Sequence, residues 1–164
     1  MVDGDGVVVL NAMNAMLPAS EMPAHPSSPT LQSEHMAAMD LAPPQNATHV
    51  AAASGDWSSP STWQAGRIPD EGSRVLIPEG VVLTLDSELT SSLKWLRVNG
   101  ELRFAIDRDT ELRVDTLVTA PGSRLEIGTA EQPVPSNVRA QIVFADLGPL
   151  NVDDDPMLMG RGAI

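Results

Sequence analysis

Two aspartates, Asp86 and Asp107, stand 21 residues apart, and each follows the last apolar residue of an alternating segment. Stacked carboxylates of this kind hold Ca²⁺ through hard oxygens, or serve as the acid and base of a glycosidase. Mutual repulsion raises the pKa of one member of such a pair. Aspartate after a strand also commonly begins a turn, which is the favoured interpretation. Catalysis and calcium binding remain alternatives. No cofactor is expected, with calcium as the alternative, and the absence of cysteine excludes thiolate chemistry and cysteine-bound zinc.

Three tryptophans are the candidates for stacking on a sugar ring. Trp57 and Trp63 flank a Ser- and Pro-rich turn, which favours a buried cap over the first strands rather than a flat platform. Trp95 is out of phase with the apolar positions Leu96 and Val98, so it faces solvent or packs on a loop. Trp95 is therefore the predicted ligand-stacking residue.

Arg103 and Arg124 are also 21 residues apart and point outward. An outward basic ladder binds acidic polysaccharide, but a net charge of -12 favours an ordinary salt bridge with a neighbour such as Glu126. The same charge argues against nucleic acid and anionic membranes as partners. No run of 18 apolar residues occurs, so membrane insertion is not expected.

These residues belong to short alternating segments that repeat every 21 positions, which predicts an all-β fold. Within each copy the matched positions differ by two residues and so share one face of a strand. A parallel β-helix-like solenoid of 21-residue coils fits this repeat, and a β-sandwich stays open as the alternative. The four predicted columns are Val75, Leu96, Leu117; Ile77, Val98, Thr119; Leu83, Phe104, Leu125; and Leu85, Ile106, Ile127.

The chain divides into two unlike parts. Residues 1–48 contain no Lys or Arg and are rich in Met and Pro, which indicates a largely disordered tail or linker. Only a segment from Leu31 to Leu41 has the pattern of a short helix. Residues 49–164 form the predicted β domain. The apolar stretch Val7 to Leu10 follows Asp-Gly-Asp-Gly without a preceding base, so no signal peptide is recognisable.

The spacing of Trp and Gly residues from position 57 onward resembles the eight-glycine (G-eight) domain family. The resemblance implies an extracellular or cell-surface module, as in hyaluronan-binding or hyaluronan-degrading proteins and fibrocystin-like receptors, that precedes a longer right-handed parallel β-helix. The excess of arginine over lysine suggests a bacterial secreted member. The matching signature residues are Trp57, Trp63, Gly66, Pro69, Gly72, Gly80, Gly100 and Gly128.

The resemblance implies a non-catalytic module that caps a β-helix of the same parent protein and assists recognition of a glycosaminoglycan-type polysaccharide. One alternative is the first part of a polysaccharide hydrolase or lyase, with Asp86 and Asp107 as local candidates and the remaining catalytic residues downstream. Another is a purely structural or adhesion module. We do not expect the chain alone to be an enzyme, since no nucleophile or nucleotide motif is present and no His occurs from Ala51 onward.

Overall fold

The computed structural model describes residue 37, residues 40–147 and residues 162 and 163. Two short 3-10 helices, Pro44–Asn46 and Pro60–Thr62, accompany ten strands, and Ala37 and Asp40 are helical. Most of the predicted tail and of the helix from Leu31 lies outside the described residues. The strands are β1 His49–Val50, β2 Gly55–Asp56, β3 Arg74–Ile77, β4 Val82–Leu85, β5 Leu93–Val98, β6 Glu101–Phe104, β7 Thr110–Thr119, β8 Arg124–Glu126, β9 Ala140–Phe144 and β10 Gly162–Ala163.

The strands form two sheets in which every pair of named strands is parallel. One sheet has the order β1-β3-β5-β7-β10, with β9 also beside β7, and the other has the order β2-β4-β6-β8. The all-β prediction is confirmed. The β-sandwich alternative is wrong, because that architecture pairs antiparallel strands. The described strands lie in two parallel sheets and do not form a closed solenoid.

The first sheet follows the predicted repeat. Val75 pairs with Leu96 and Leu96 with Leu117, so the offset is 21 residues at both steps. All three side chains are buried, as are Ile77 and Val98 in the neighbouring column. Full burial of one such aliphatic side chain stabilises a fold by about 1.5–3 kcal/mol, so these columns hold the strands in register.

The second sheet departs from the predicted repeat. Leu83 pairs with Leu102, an offset of 19, and Leu102 pairs with Leu125, an offset of 23. The predicted column of Leu83 with Phe104 is therefore wrong, and so is that of Leu85 with Ile106, because Phe104 pairs with Leu85. The 19- and 23-residue steps average 21, so a 21-residue repeat in the sequence does not reveal that the two offsets differ.

The cause is the length of the corner between the two sheets. Four residues (78–81) join β3 to β4 and four (120–123) join β7 to β8, but only Asn99 and Gly100 join β5 to β6. Gly100 makes this short corner fit: a Cβ there would lie 2.2 Å from the carbonyl oxygen of Pro78 and 2.4 Å from that of Val81. No side chain other than hydrogen fits between the stacked corners.

Residues 41–47, which fall in the predicted tail, pack on the outer face of the first sheet. Leu41 and Ala42 are buried against Trp95 and Val118, and Ala47 is partly buried beside them. We refer to residues 41–47 as the strap. The packed part of the chain therefore starts before the predicted boundary at residue 49. The strap removes the apolar side chains of Trp95 and Val118 from solvent.

Candidate functional site

Asp86 and Asp107 do not form the predicted stacked pair. The pairing of Leu85 with Phe104 places Asp86 beside Ala105, two positions short of Asp107. Asp86 instead accepts hydrogen bonds from the backbone N–H of Ser58, at 3.0 Å, and from its hydroxyl. These bonds join the end of β4 to the loop that carries Trp57, 28 positions earlier in the chain, and the turn role stays a prediction.

Asp107 is exposed and paired with its neighbour Arg108. The Nε and Nη2 of Arg108 each donate to one carboxylate oxygen at 2.9 Å. These hydrogen bonds lower the pKa of Asp107, which is opposite to the raised pKa expected of a proton donor in a carboxylate pair. Among the described residues no group of three or more His, Asp or Glu side chains is placed to hold a metal ion.

Trp95 is buried and only 1% exposed, so the prediction that its ring is open to a ligand is wrong. The strap covers it through Leu41 and Ala42, while Val118 packs beside it from β7. Its indole Nε1 is buried and has no hydrogen-bond partner among the described residues. The alternative of packing on a loop is confirmed. The sequence signal for the strap is the out-of-phase position of Trp95 itself, because a large apolar ring on an outer face requires a cover.

Arg97 fastens the strap to the sheet. Its Nη1 donates to the backbone carbonyl of Ala42 at 3.2 Å, and its Nε donates to Asn99 Oδ1 at 2.9 Å. Burial lowers the pKa of Arg97, and Asp40 opposes this effect. The strap therefore combines a small apolar contact with a side-chain anchor.

Trp57 and Trp63 close one end of the core. Their rings meet edge to face at a centroid distance of 5.0 Å, and both are buried. Trp63 Nε1 donates to the carbonyl of Trp57 at 2.9 Å, which locks the two against each other. Both pack on the core cluster that contains Val75 and Leu83. Because both rings are buried, neither is open for stacking on a sugar, and a cap over the first strands stays a prediction.

The loop that carries these rings is bound to a strand of each sheet, β4 and β1. The N–H of Trp57 donates to Thr84 in β4, and the N–H of Gln64 donates to Val50 in β1. His49 lies against Trp63 with a centroid distance of 6.5 Å. Burial is the main cause that lowers the pKa of His49, with Asp70 opposing it.

Arg103 and Arg124 lie on the outer face of the second sheet, paired with acids. Arg103 Nε is 2.7 Å from Glu101 Oε1, and Arg124 Nε is 3.5 Å from the same oxygen across the strands. Arg124 also bridges Glu126, and a hydrogen bond to Glu101 raises the pKa of Arg103. The salt-bridge interpretation is confirmed. The 21-residue ladder of two stacked arginines is wrong, because Arg103 pairs in register with Glu126.

At the end opposite the tryptophans the core is less well covered. In the column Leu83, Leu102, Leu125, the first two side chains are fully buried and Leu125 is only partly so. Ile127 and Phe144 are likewise partly buried at this end. β8 is the last strand of its sheet among the described residues. We refer to β8 with these three side chains as the open end, a feature that the sequence analysis did not identify.

A small cavity of about 170 Å³ lies beside the start of β5. It combines apolar walls with two hydroxyl side chains, and Ile68 at its rim is 39% exposed. Its lining residues are Ile68, Pro69, Glu88, Leu89, Thr90, Ser91 and Leu93.

Most of the signature glycines occupy backbone conformations that other residues avoid. Gly66, Gly72, Gly80 and Gly128 have φ between 63° and 79°, the left-handed region. Gly100 is required for space instead, as described above. These signature glycines thus lie at turns and corners of the chain.

The G8 domain family matches residues 62–164 of this chain. Fibrocystin from Mus musculus is 34% identical over 87 residues, which are 52% of this chain and 2% of that protein. Fibrocystin-L from Homo sapiens is 35% identical over 77 residues, or 47% of this chain and 2% of that protein. The chain thus spans about 2% of the length of these curated relatives. No solved structure matches it with statistical significance. In the part of the chain that the structure describes, no helix is long and apolar enough to cross a membrane.

Proposed function

Because the chain belongs to the G8 domain family, we propose that it is an extracellular or cell-surface module that closes one end of a parallel β-helix. In this proposal the tryptophan end is the finished end, and the open end accepts a further coil from a β-helix of the same polypeptide. We also propose that this β-helix is right-handed. The family and its fibrocystin relatives support the location outside the cell.

The difference between the two ends is the observation that carries the proposal. At one end Trp57 and Trp63 cover the core and leave it buried. At the other, Leu125 is partly exposed beside a strand with no outer neighbour among the described residues. A repeat fold requires each coil to be covered by the next or by a cap, and an uncovered edge promotes unwanted pairing.

Adding one coil to the chain tests this proposal. A copy of residues 98–118 joined after Ile164 supplies a 21-residue coil in the register of the first sheet, because Ala163 pairs with Leu117. We expect one cooperative thermal transition at a higher midpoint, with about 4 °C gained for each kcal/mol. The control carries the same copy before Met1, which matches length and composition without continuing β10 in register, and its midpoint should not change. Equal effects at both ends, or separate unfolding of the added coil, would contradict the proposal.

We propose no catalytic role for this chain, because Asp86 and Asp107 have the partners described above. The alternative of a polysaccharide hydrolase or lyase has a direct assay. The purified chain should release no new reducing ends or unsaturated uronates from a panel of polysaccharides. Turnover that disappears in the Asp107→Asn variant would show that the alternative is correct.

The cavity beside β5 supports a second candidate function, recognition of a neutral polysaccharide. Its apolar rim at Ile68 and its Thr90 and Ser91 hydroxyls are the groups that sugar rings contact, while Glu88 and the net charge of -12 disfavour an acidic polymer. Affinity electrophoresis through neutral and acidic polysaccharides tests it. Retardation by neutral polymers should be lost in Ile68→Asp and kept in Gln64→Asp, an exposed control of equal charge. Equal migration of all three proteins would contradict this candidate.

A further inference from the structure

The outer face of the second sheet carries a charge order that reverses from one strand to the next. On β6 the outward Glu101 and Arg103 flank the buried Leu102, and on β8 Arg124 and Glu126 flank Leu125 in the mirrored order. In register, Glu101 lies opposite Arg124, leucine opposite leucine, and Arg103 opposite Glu126. Every charged residue of β8 thus has an opposite charge beside it on β6.

The charged side chains of β8 remain partly exposed despite these contacts. Arg124 bonds to Glu101 and Glu126, yet its side chain is 59% exposed, and Glu126 is 20% exposed. Opposite charges that face each other across strands stabilise a sheet modestly, and like charges destabilise it. A strand on the far side of β8 therefore meets a basic position first and an acidic position two residues later.

The backbone of β8 has room for such a strand. The N–H of Arg124 donates to Gly100 on the β6 side. Because successive residues of a parallel strand bond to alternate sides, the N–H of Leu125 faces the outer side. Leu102, at the same position of β6, faces β8 in the same way. Among the described residues no strand lies on that outer side of Leu125.

We infer that the outer edge of β8 binds a parallel strand with the order acidic, apolar, basic. This inference rests on the proposed function and specifies the partner of the open end. The acidic residue pairs with Arg124, the apolar one continues the leucine column at Leu125, and the basic one pairs with Glu126. The reversed order places like charges at both positions.

A second copy of this chain is the competing occupant. An antiparallel pair of β8 strands also sets Arg124 against Glu126, so charge alone allows it. Such a pair breaks the parallel order shared by all named strand pairs and has only the three residues of β8 for contact. Parallel continuation is favoured for these reasons.

A short extension of the full chain tests the inference. The sequence Val-Asn-Gly-Glu-Leu-Arg-Phe, a copy of residues 98–104, is joined after Ile164. Ala163 pairs with Leu117, so the added valine falls beside Thr119, as Val98 does. The matched control exchanges the charges to give Val-Asn-Gly-Arg-Leu-Glu-Phe. Hydrogen exchange of the Leu125 backbone amide, followed by NMR, should be about 10-fold slower with the first extension than with the control.

A variant chain with reversed charges tests whether the preference follows the charge order. In a variant that reverses β6 and β8 together (Glu101→Arg, Arg103→Glu, Arg124→Glu and Glu126→Arg), which keeps opposite charges paired between them, the control extension should give the slower exchange of the Leu125 amide. Equal protection by both extensions overturns the inference and leaves the proposed function standing. Protection by neither extension overturns both. Protection in the unextended chain that rises with concentration, together with a dimer in sedimentation, overturns the inference in favour of a second copy.

Discussion

Single residues fix the corners of this chain and the contacts between its loops and strands. Asp86 binds Ser58 and Asp107 binds Arg108, so both leading candidates for chemistry are occupied by local structure. Gly100 is needed because two carbonyl oxygens occupy the space of its missing Cβ. Residue type alone predicted a turn role for the aspartates, whereas their partners depend on strand offsets that no single position encodes.

A pH prediction follows from His49. Burial holds the pKa of His49 below its ordinary value of about 6.5, so the unfolded chain binds more protons as the pH falls. The stability from neutral His49 is complete above that value and is lost as the pH drops from about 7 toward the folded-state pKa. The difference in unfolding free energy between the natural chain and His49→Gln, measured by urea denaturation from pH 7.5 to 5, should shrink on acidification. A difference that grows or stays level would be incompatible with this role.

Gly100 gives a second prediction at this scale. The Gly100→Ala variant should lose about 3 kcal/mol of stability in urea denaturation, because its methyl group overlaps the carbonyl oxygens of Pro78 and Val81. Gly80→Ala is the control: its φ is 79° but nothing lies within 4 Å, so the loss should be nearer about 1–2 kcal/mol. Equal losses would show that corner stacking does not constrain Gly100.

Among the elements, sequence periodicity predicted the first sheet and failed in the second. Val75, Leu96 and Leu117 align because 21 residues separate paired positions both from β3 to β5 and from β5 to β7. In the second sheet the two-residue corner at Asn99 shifts β6 by two positions, and a shift of two keeps the same face buried. Pairing Leu83 with Leu102 or with Phe104 gives the same hydrophobic alternation, so only the packing of the corner distinguishes the two registers.

The strap is the element that the sequence analysis assigned to the tail. Leu41→Asp should release it, because a charge replaces a side chain buried against Trp95, and burial of a leucine is worth about 1.5–3 kcal/mol. Solvent exchange of the Trp95 indole N–H, read by NMR, should then accelerate at least about 10-fold. Gln45→Asp introduces the same charge at an exposed strap position and should leave exchange unchanged. Unaltered exchange in Leu41→Asp would mean that the strap does not protect Trp95.

At the scale of the whole molecule, the described residues form two parallel sheets, with Trp57 and Trp63 buried at one end and Leu125 only partly buried at the other. Burial of Trp57 and Trp63 was predictable, because large apolar rings on either side of a tight turn gain most by packing on the core. The open end was not, because Leu125 has the same alternating neighbours as Leu83 and Leu102 and differs from them only in lacking an outer strand among the described residues. The proposal of a further coil therefore depends on the strand order, which composition does not reveal.

Hydrogen exchange along the leucine column of the unaltered chain tests the central claim most directly. The N–H groups of Leu83, Leu102 and Leu125 occupy equivalent positions, each directed toward the next strand of the sheet. We predict that the amides of Leu83 and Leu102 exchange near the rate of global unfolding, and that the amide of Leu125 exchanges at least about 100-fold faster at low protein concentration. A Leu125 amide as protected as that of Leu102 would contradict an open end on this molecule.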